Sequence, residues 1–288
     1  MYKIQNDPGS WSQYVKRADN IGLPLTEVSK KYMMESHLYS TQLFEALQQQ
    51  QSMQSAVAAG AGTSTVSDII GGGTGAVTFN GTNQYFTALN SDVVNWLPGT
   101  SPFTIEFFIK KGVGGAGAPR VFSLGYDTSA TIGVSVEGGK VYVWPYGNSL
   151  SGTYTAGYNA GTAWMHVAIC RNNNTSSLFI DGVKKAFTPD TRNINDSINP
   201  GFDLNAGVDN PVAGSPNWWA GSFTNFRWDN SAIYTSSSLV VPTSPLSATA
   251  TTKLLMLGGG ASNPVYDATG TNNLVNHGAQ WTANTPFA

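Results

Sequence analysis

The stretch AWMHVAICRNNNTSSLFIDGVKK, residues 163–185, decides the fold. Apolar and other side chains alternate in it, and the alternation is interrupted by three asparagines at 172–174 and by Asp181-Gly182. Alternation with a period of two predicts β-strands, and Asp-Gly accepts the positive φ angles that a tight hairpin turn requires. The stretch therefore predicts two neighbouring antiparallel strands, followed by a turn at Asp181-Gly182.

The same stretch holds a histidine and the only cysteine of the chain, which raises the question of a catalytic pair. On a strand, Trp164, His166, Ala168 and Cys170 share one face. At about 3.3 Å per residue, His166 and Cys170 are about 13 Å apart, too far for a nucleophile and its base or for one shared metal. We therefore interpret His166 as a buried, hydrogen-bonded histidine and Cys170 as a small apolar filler.

The pattern of short apolar runs between turn residues continues outward from this stretch over residues 77–288. About nine strands are predicted, without helical patterns between them, which is typical of an antiparallel two-sheet sandwich or jelly roll. Residues 60–76 are rich in glycine and alanine and predict a flexible linker. Residues 1–59 predict an α-helical segment in front of this mainly β domain.

Composition excludes several functional classes. Of the 288 residues, 11% are charged and the net charge is −2, so we expect no nucleic-acid partner and no anionic membrane surface. No apolar run approaches the ~18 residues of a membrane span, and no signal-peptide core is found near Met1. A single cysteine excludes an internal disulfide and fits folding in a cytoplasm.

The longer of the helices predicted within residues 1–59 carries a seam in steps of three and four. Its members include Tyr32, Tyr39, Leu43, Ala46, Met53 and Val57. One interpretation is an assembly helix that docks on partner chains or self-associates, for example as a trimer. The other is an amphipathic helix that lies on its own domain.

Three stretches carry a resemblance to a known family. TIEFFIKK (104–111), the stretch at 163–185 and WAGSFTNFRWDNSAIYTSSSLVVPTSPLSA (219–248) occur in the order seen in laminin-G-like, concanavalin A-like domains. The resemblance implies a two-sheet jelly roll that is often carbohydrate-binding and sometimes calcium-dependent. The tail YTSSSLVVPTSPL (234–246) and the helical leader also resemble virion proteins of marine bacteriophages.

Glycoside hydrolases occur on this fold too, so the carboxylates need a separate test. Retaining glycosidases need two carboxyl groups about 5 to 5.5 Å apart. After residue 60 the only glutamates are Glu106 and Glu137, and neither has an acidic neighbour two or four positions away. We therefore predict that the chain is not an enzyme.

Aromatic rings that stack on sugars and oxygen ligands that hold a hard cation are the remaining candidate sites. The sugar-contact candidates are Trp144, Tyr146, Tyr158, Trp218 and Trp219. The alternative is that these rings cap the open ends of the sandwich. The loop at 190–210 offers Asp196, Asp203 and Asp209 as calcium ligands or, alternatively, as ordinary turn residues; we predict no other cofactor.

Together these features predict a non-enzymatic bacteriophage structural protein, either a capsid decoration or a head or tail fibre. Residues 1–59 would dock on other virion proteins after assembly in the host cytoplasm, and the lectin-like domain would face host-surface glycans. The alternative is a bacterial carbohydrate-binding module without a virion role, and a more distant one is a glycoside hydrolase.

Overall fold

The structure is a computed structural model. It describes residues 75–95, 97–113, 118–124, 132–144, 150–154, 161, 163–194, 203–209, 211 and 217–287. The predicted helical segment 1–59, its seam of Tyr32, Tyr39, Leu43, Ala46, Met53 and Val57, and nearly all of the predicted linker lie outside these residues. The proposed domain boundaries stay predictions.

The described residues form strands, with one short helix between the second and third. The strands are β1 (Ala76–Asn80), β2 (Tyr85–Ala88), β3 (Phe103–Lys111), β4 (Arg120–Leu124), β5 (Ile132–Glu137), β6 (Lys140–Trp144), β7 (Ser151–Thr153), β8 (Met165–Asn172), β9 (Thr175–Ile180), β10 (Val183–Pro189), β11 (Leu204–Ala206), β12 (Ala220–Asp229), β13 (Thr252–Gly260), β14 (Asn263–Asp267), β15 (Leu274–His277) and β16 (Gln280–Thr282). The helix is α1 (Asn90–Val93). No helix among the described residues is long and apolar enough to cross a membrane.

The strands form two antiparallel sheets, which confirms the predicted sandwich. The first sheet has the order β10-β9-β8-β3-β12-β1-β16, with β13 beside the second half of β12 and β14 beside β13. The second sheet has the order β15-β2-β11-β4-β5-β6-β7. More strands are found than the nine predicted, because strands of three to five residues such as β7, β11 and β16 are too short to show a period.

The decisive stretch at 163–185 folds as predicted into β8 and β9 with a tight turn at each end of β9. Asn173 and Asn174 have φ angles of 46° and 57°, and Asp181 and Gly182 have 47° and 81°. These left-handed pairs match the twist of the hairpins that they close. Met165, Val167 and Ile169 point into the main core, whereas Ala168 and Cys170 belong to a separate apolar cluster on the outer face.

Aromatic rings from both sheets meet at the centre of the core. Phe107 of β3 lies with its ring centroid 5.6 Å from Phe122 of β4 and 5.6 Å and 6.1 Å from Phe223 and Phe226 of β12. The contact between Phe107 and Phe122 is edge-to-face, a preferred arrangement of aromatic pairs. This contact joins the two sheets through their middle strands.

The outer face of the first sheet is covered as well. Residues 230–249, which we call the strap, follow β12 without regular structure and cross this face. Ala232, Tyr234 and Leu239 of the strap pack against the outer cluster of Ala168, Cys170 and Phe179. Strands β3, β8 and β9 are therefore buried on both sides, whereas the edge strand β10 stays partly exposed.

We expect Phe107→Ala to lower the free energy of unfolding by about 3–5 kcal/mol, because it removes a ring that is fully buried between the two sheets. Denaturant unfolding followed by tryptophan fluorescence measures the change. Phe187→Ala is the matched control: Phe187 is 70% exposed on the edge strand β10, and its loss should change stability by no more than about 0.5 kcal/mol. Equal effects of the two variants would contradict this assignment of the core.

Candidate functional site

A cluster of polar side chains beneath the strap has the composition of a catalytic site. Glu106 of β3 accepts hydrogen bonds from His166 Nε2 at 3.1 Å, from Arg227 Nε at 2.9 Å and from Tyr234 Oη at 2.7 Å. Arg227 Nη2 donates to the same carboxylate. Strands β8, β3 and β12 are neighbours, so the sheet itself brings the carboxylate, the imidazole and the guanidinium together.

The electrostatics of this polar cluster favour a fixed ion pair between Glu106 and Arg227. Burial raises the pKa of the Glu106 carboxyl, but the hydrogen bond from His166 and the charge of Arg227 outweigh it and hold that pKa below its usual value. Burial and the adjacent Glu106 carboxylate raise the pKa of Tyr234. The side chains of Glu106 and His166 are completely inaccessible to solvent, so no substrate reaches them while the strap is in place.

The structure thus confirms His166 as a buried, hydrogen-bonded histidine and Cys170 as a buried filler. The thiol of Cys170 accepts a hydrogen bond from Thr104 Oγ1 at 3.4 Å. Burial raises the pKa of this thiol, which disfavours the reactive thiolate. Glu137 ends β5 in the second sheet, whereas Glu106 lies on the outer face of the first, so the two glutamates do not form a glycosidase pair.

The predicted calcium ligands do not converge where the structure describes them. Asp203 directly precedes β11 (Leu204–Ala206) and Asp209 follows it, so the two lie beyond opposite ends of this strand. Asp196 lies outside the described residues. Asp203 accepts a hydrogen bond from the backbone N–H of Asn90, and Asp209 accepts two from Asn217. No group of three acidic, histidine or cysteine side chains within the described ranges could hold a metal ion. Calcium binding stays a prediction.

The five predicted sugar contacts have different environments. Tyr146 and Tyr158 lie outside the described residues. Trp219 is 1% exposed and belongs to the core, so the prediction that it contacts a sugar is wrong. Trp144 is half-buried, but its Nε1 donates to Ser135 Oγ at 3.0 Å and the Arg120 guanidinium lies over its ring. Trp144 therefore makes contacts within the protein, as the alternative interpretation of capping rings expects.

Trp218 instead takes part in a compact group of rings on the outer face of the second sheet, which we call the aromatic cluster (Tyr85, Trp218 and His277). Tyr85 and His277 are direct partners across β2 and β15, and their rings stack nearly parallel with centroids 4.1 Å apart. The Trp218 ring is tilted by 55° against Tyr85 at 5.9 Å. All three residues are half-buried, so part of each ring remains accessible.

Contacts of neighbouring residues fix two members of the aromatic cluster, Trp218 and His277. Trp219, the next residue in the chain, is anchored in the core, and its backbone N–H donates a hydrogen bond to the carbonyl oxygen of Gly207. Because successive side chains of an extended chain alternate, Trp218 points outward. Asp209 holds the preceding Asn217 through both its backbone and its side-chain amide. His277 lies in a turn closed by two hydrogen bonds between Asn276 and Ala279.

The polar atoms of the aromatic cluster are not used by the described residues. Trp218 Nε1, the Tyr85 hydroxyl and both ring nitrogens of His277 have no hydrogen-bond partner there, in contrast to Trp144. Burial, followed by the nearby Asp203 carboxylate, raises the pKa of Tyr85, so its hydroxyl keeps its proton. The cluster therefore offers ring surface together with donors and acceptors for a ligand.

Sequence reasoning identified only one member of this cluster. Tyr85 and His277 lie almost two hundred positions apart in the chain, and the pairing of β2 with β15 alone brings them together. Both strands have only four residues, which is too short for a periodic signal. Trp218 was detectable because two adjacent tryptophans in an extended chain must point to opposite sides.

The fold and the site define a class of protein: a two-sheet antiparallel sandwich with a lectin-like architecture and an accessible aromatic cluster on one sheet. The chain belongs to the laminin-G-type family described as the concanavalin A-like lectin/glucanases superfamily, whose model matches residues 71–237. This confirms the resemblance drawn from the three sequence stretches. No curated protein matches the chain.

Several solved structures are similar to parts of this chain. A Bacteroides ovatus protein to which carbohydrate binding has been attributed is 16% identical over 72% of this chain and 59% of its own, with a TM-score of 0.50. The chain thus spans less than two thirds of that protein. A heptameric SAP-like pentraxin from Limulus polyphemus is 14% identical over 72% of this chain and 94% of its own, with a TM-score of 0.47. Domains LG4-5 of the mouse laminin alpha1 chain are 13% identical over 58% and 46%, with a TM-score of 0.37. At these identities the likeness concerns the fold alone.

We expect Glu106→Gln to lower the free energy of unfolding at pH 7 by about 3 kcal/mol, because it leaves the Arg227 guanidinium without its buried counter-charge. Because the pKa of Glu106 is lowered on folding, its ionised form stabilises the wild type above the usual value of 4.5, and this contribution is lost as the pH falls through the folded-state pKa. The difference between wild type and variant should therefore shrink in acid.

Denaturant unfolding at a series of pH values from 7 to 3 measures this difference. Glu137→Gln, at the end of β5, is the matched control and should leave stability within about 0.5 kcal/mol at every pH. A difference between wild type and Glu106→Gln that stays constant over the whole series would show that Glu106 is not an ionised partner of Arg227.

Proposed function

We propose that this chain is a non-enzymatic glycan-binding protein and that the aromatic cluster is its binding surface. The observation that carries the proposal is the accessible group of Tyr85, Trp218 and His277, whose polar atoms have no hydrogen-bond partner among the residues that the structure describes. Sugar sites combine ring surface for the apolar faces of pyranoses with a few fixed polar groups for the hydroxyls. The cluster supplies both from a rigid sheet.

A neighbouring amide adds to this surface. Asn205 of β11 pairs with Thr87, which places it diagonally across from Tyr85, about 7–8 Å away. Its Oδ1 accepts the Thr87 hydroxyl at 3.0 Å, so its amide orientation is fixed and its N–H groups point elsewhere. Because Asn205 is half-buried, it supports the proposal as a donor to sugar hydroxyls.

The buried carboxylates of Glu106, Asp229 and Asp190 are held by contacts within the protein, which supports a binding role rather than hydrolysis. Glu106 and Asp229 are inaccessible, and each already accepts several hydrogen bonds from the protein. Asp190 is likewise buried and accepts from Ser176 and Arg192. None of these described carboxylates is placed to attack or to protonate a bound sugar.

We further propose that the glycan-binding domain is displayed on a bacteriophage particle, as a decoration of the capsid or as part of a head or tail fibre. Residues 1–59 would dock on other virion proteins, and the chain would self-associate there. The resemblance of residues 1–59, which are predicted to be helical, and of residues 234–246 to phage structural proteins supports this proposal. The alternative, a bacterial lectin module without a virion role, shares the same binding surface.

We expect Trp218→Ala to abolish glycan binding, because it removes a ring of the proposed binding surface. The melting temperature should stay within a few degrees of the wild type, because the Trp218 ring is only half-buried. Glycan-array binding of the full chain, followed by calorimetry with the best ligand, measures the first effect. Trp144→Ala is the matched control: it removes the ring beneath Arg120, so it should lower the melting temperature and leave the affinity of the folded protein unchanged. Loss of binding in the Trp144 variant alone would place the site elsewhere.

For the virion role, we expect the chain at a fixed copy number in purified particles of the virus that encodes it, measured by quantitative mass spectrometry. Light scattering of the isolated full chain should give a multiple of 30.5 kDa. Particles without the chain would contradict the virion role, and a monomeric mass would contradict self-association through residues 1–59.

A further inference from the structure

We infer that the aromatic cluster reads a single sugar ring, such as the terminal residue or a branch of a glycan, and not an extended polysaccharide chain. The inference rests on the proposed glycan-binding function and names its ligand class. Three features of the described residues support it: the compactness of the cluster, the burial of the surface beside it, and the internal contacts of the other accessible tryptophan on the same face.

The first feature is the arrangement of rings around Tyr85. His277 covers one face of this ring in a nearly parallel stack, and Trp218 leans against it at 5.9 Å. Tyr85 is therefore the positioning residue at the centre, and the surfaces left for a ligand belong to Trp218 and His277. Both surfaces lie within one ring contact of Tyr85, which suits one pyranose and not a row of them.

The second feature is the surface that a longer chain would have to cross. The register places Thr87, Asn205, Ser123, Gly133 and Trp144 in one row across the second sheet. Thr87 and Ser123 are only 4% and 2% exposed, and Ser135 in the adjacent row is completely buried. Between the cluster and β6, these hydroxyls therefore offer almost no contact surface to a bound polysaccharide. The half-buried Asn205 in this row lies on β11, directly beside β2, and so belongs to the cluster's own surroundings.

The third feature is that the Trp144 ring is not available as a second stacking surface for a sugar. It lies four strands from β2, a distance of about 19 Å. The Arg120 guanidinium, which is itself buried, lies over its ring with Cζ 4.6 Å from the centroid. A chain that reached this far would meet an indole that is already in contact with the protein.

A site for one ring predicts an affinity that does not grow with chain length. We would measure it by calorimetry with the wild-type full chain and with linear gluco-, manno- and chito-oligosaccharides, from monosaccharide to hexasaccharide. Within the series that binds, we expect the dissociation constants, expressed per chain end, to agree within about twofold. A gain of about tenfold or more between the mono- and the tetrasaccharide would overturn the inference and leave the glycan-binding proposal intact.

Substitutions at the positioning residue complete the test. Tyr85→Ala removes the support of both neighbouring rings and should weaken binding about tenfold or more. Phe187→Ala, on the exposed edge strand β10 of the first sheet, is the matched control and should bind like the wild type. If Tyr85→Ala binds as tightly as the wild type, Tyr85 does not position the neighbouring rings. If the wild type binds no glycan on an array, the inference falls together with the proposed function.

Discussion

The burial of β3, β8 and β9 on both faces is the constraint on which the rest of the structure depends. Alternation along β3 and β8 sends Phe107 and Val167 inward, but it sends Glu106 and His166 outward onto a face that the strap covers. A carboxylate in such a place is tolerated only if its charge is matched and its oxygens accept hydrogen bonds. Arg227, His166 and Tyr234 satisfy both conditions, and Tyr234 at the same time ties the strap to the sheet.

This constraint also decides where a ligand can bind. The strap covers the outer face of β3, β8 and β9, so a ligand has no access to Glu106 and His166, and the central hydroxyls of the second sheet are buried too. Accessible rings remain near its edge strand β15, where the chain turns toward β16 in the other sheet. The most reactive set of side chains thus has a structural role, whereas the binding surface that we propose is an unreactive set of rings.

The predictability of these features from sequence follows the range of the interactions involved. The hairpins around β8 and β9 were predictable because alternation and Asp-Gly are local signals. The burial of His166 followed from its place on a strand, but its partner Glu106 lies sixty residues away and could not be named. Trp144 and Trp218 looked equivalent in sequence, since only the positions of Arg120 and Ser135 distinguish them. Tyr85 and His277 depend on the pairing of two four-residue strands, for which no local signal exists.

The rigidity of the aromatic cluster bears on how much a site for one sugar can achieve. Immobilising a mobile side chain on binding costs about 0.5–1.5 kcal/mol, a large part of what one stacked ring contributes. Here the rings are fixed before any ligand arrives. Trp218 is held by the core anchor of Trp219 and by the bonds between Asp209 and Asn217, and His277 is held by the turn between Asn276 and Ala279. That cost is therefore met during folding. A rigid site of this size still binds weakly, so tight attachment to a cell surface would require many copies acting together. Display of many chains on one particle would supply such copies, which is why the single-ring site and the proposed virion role are physically compatible.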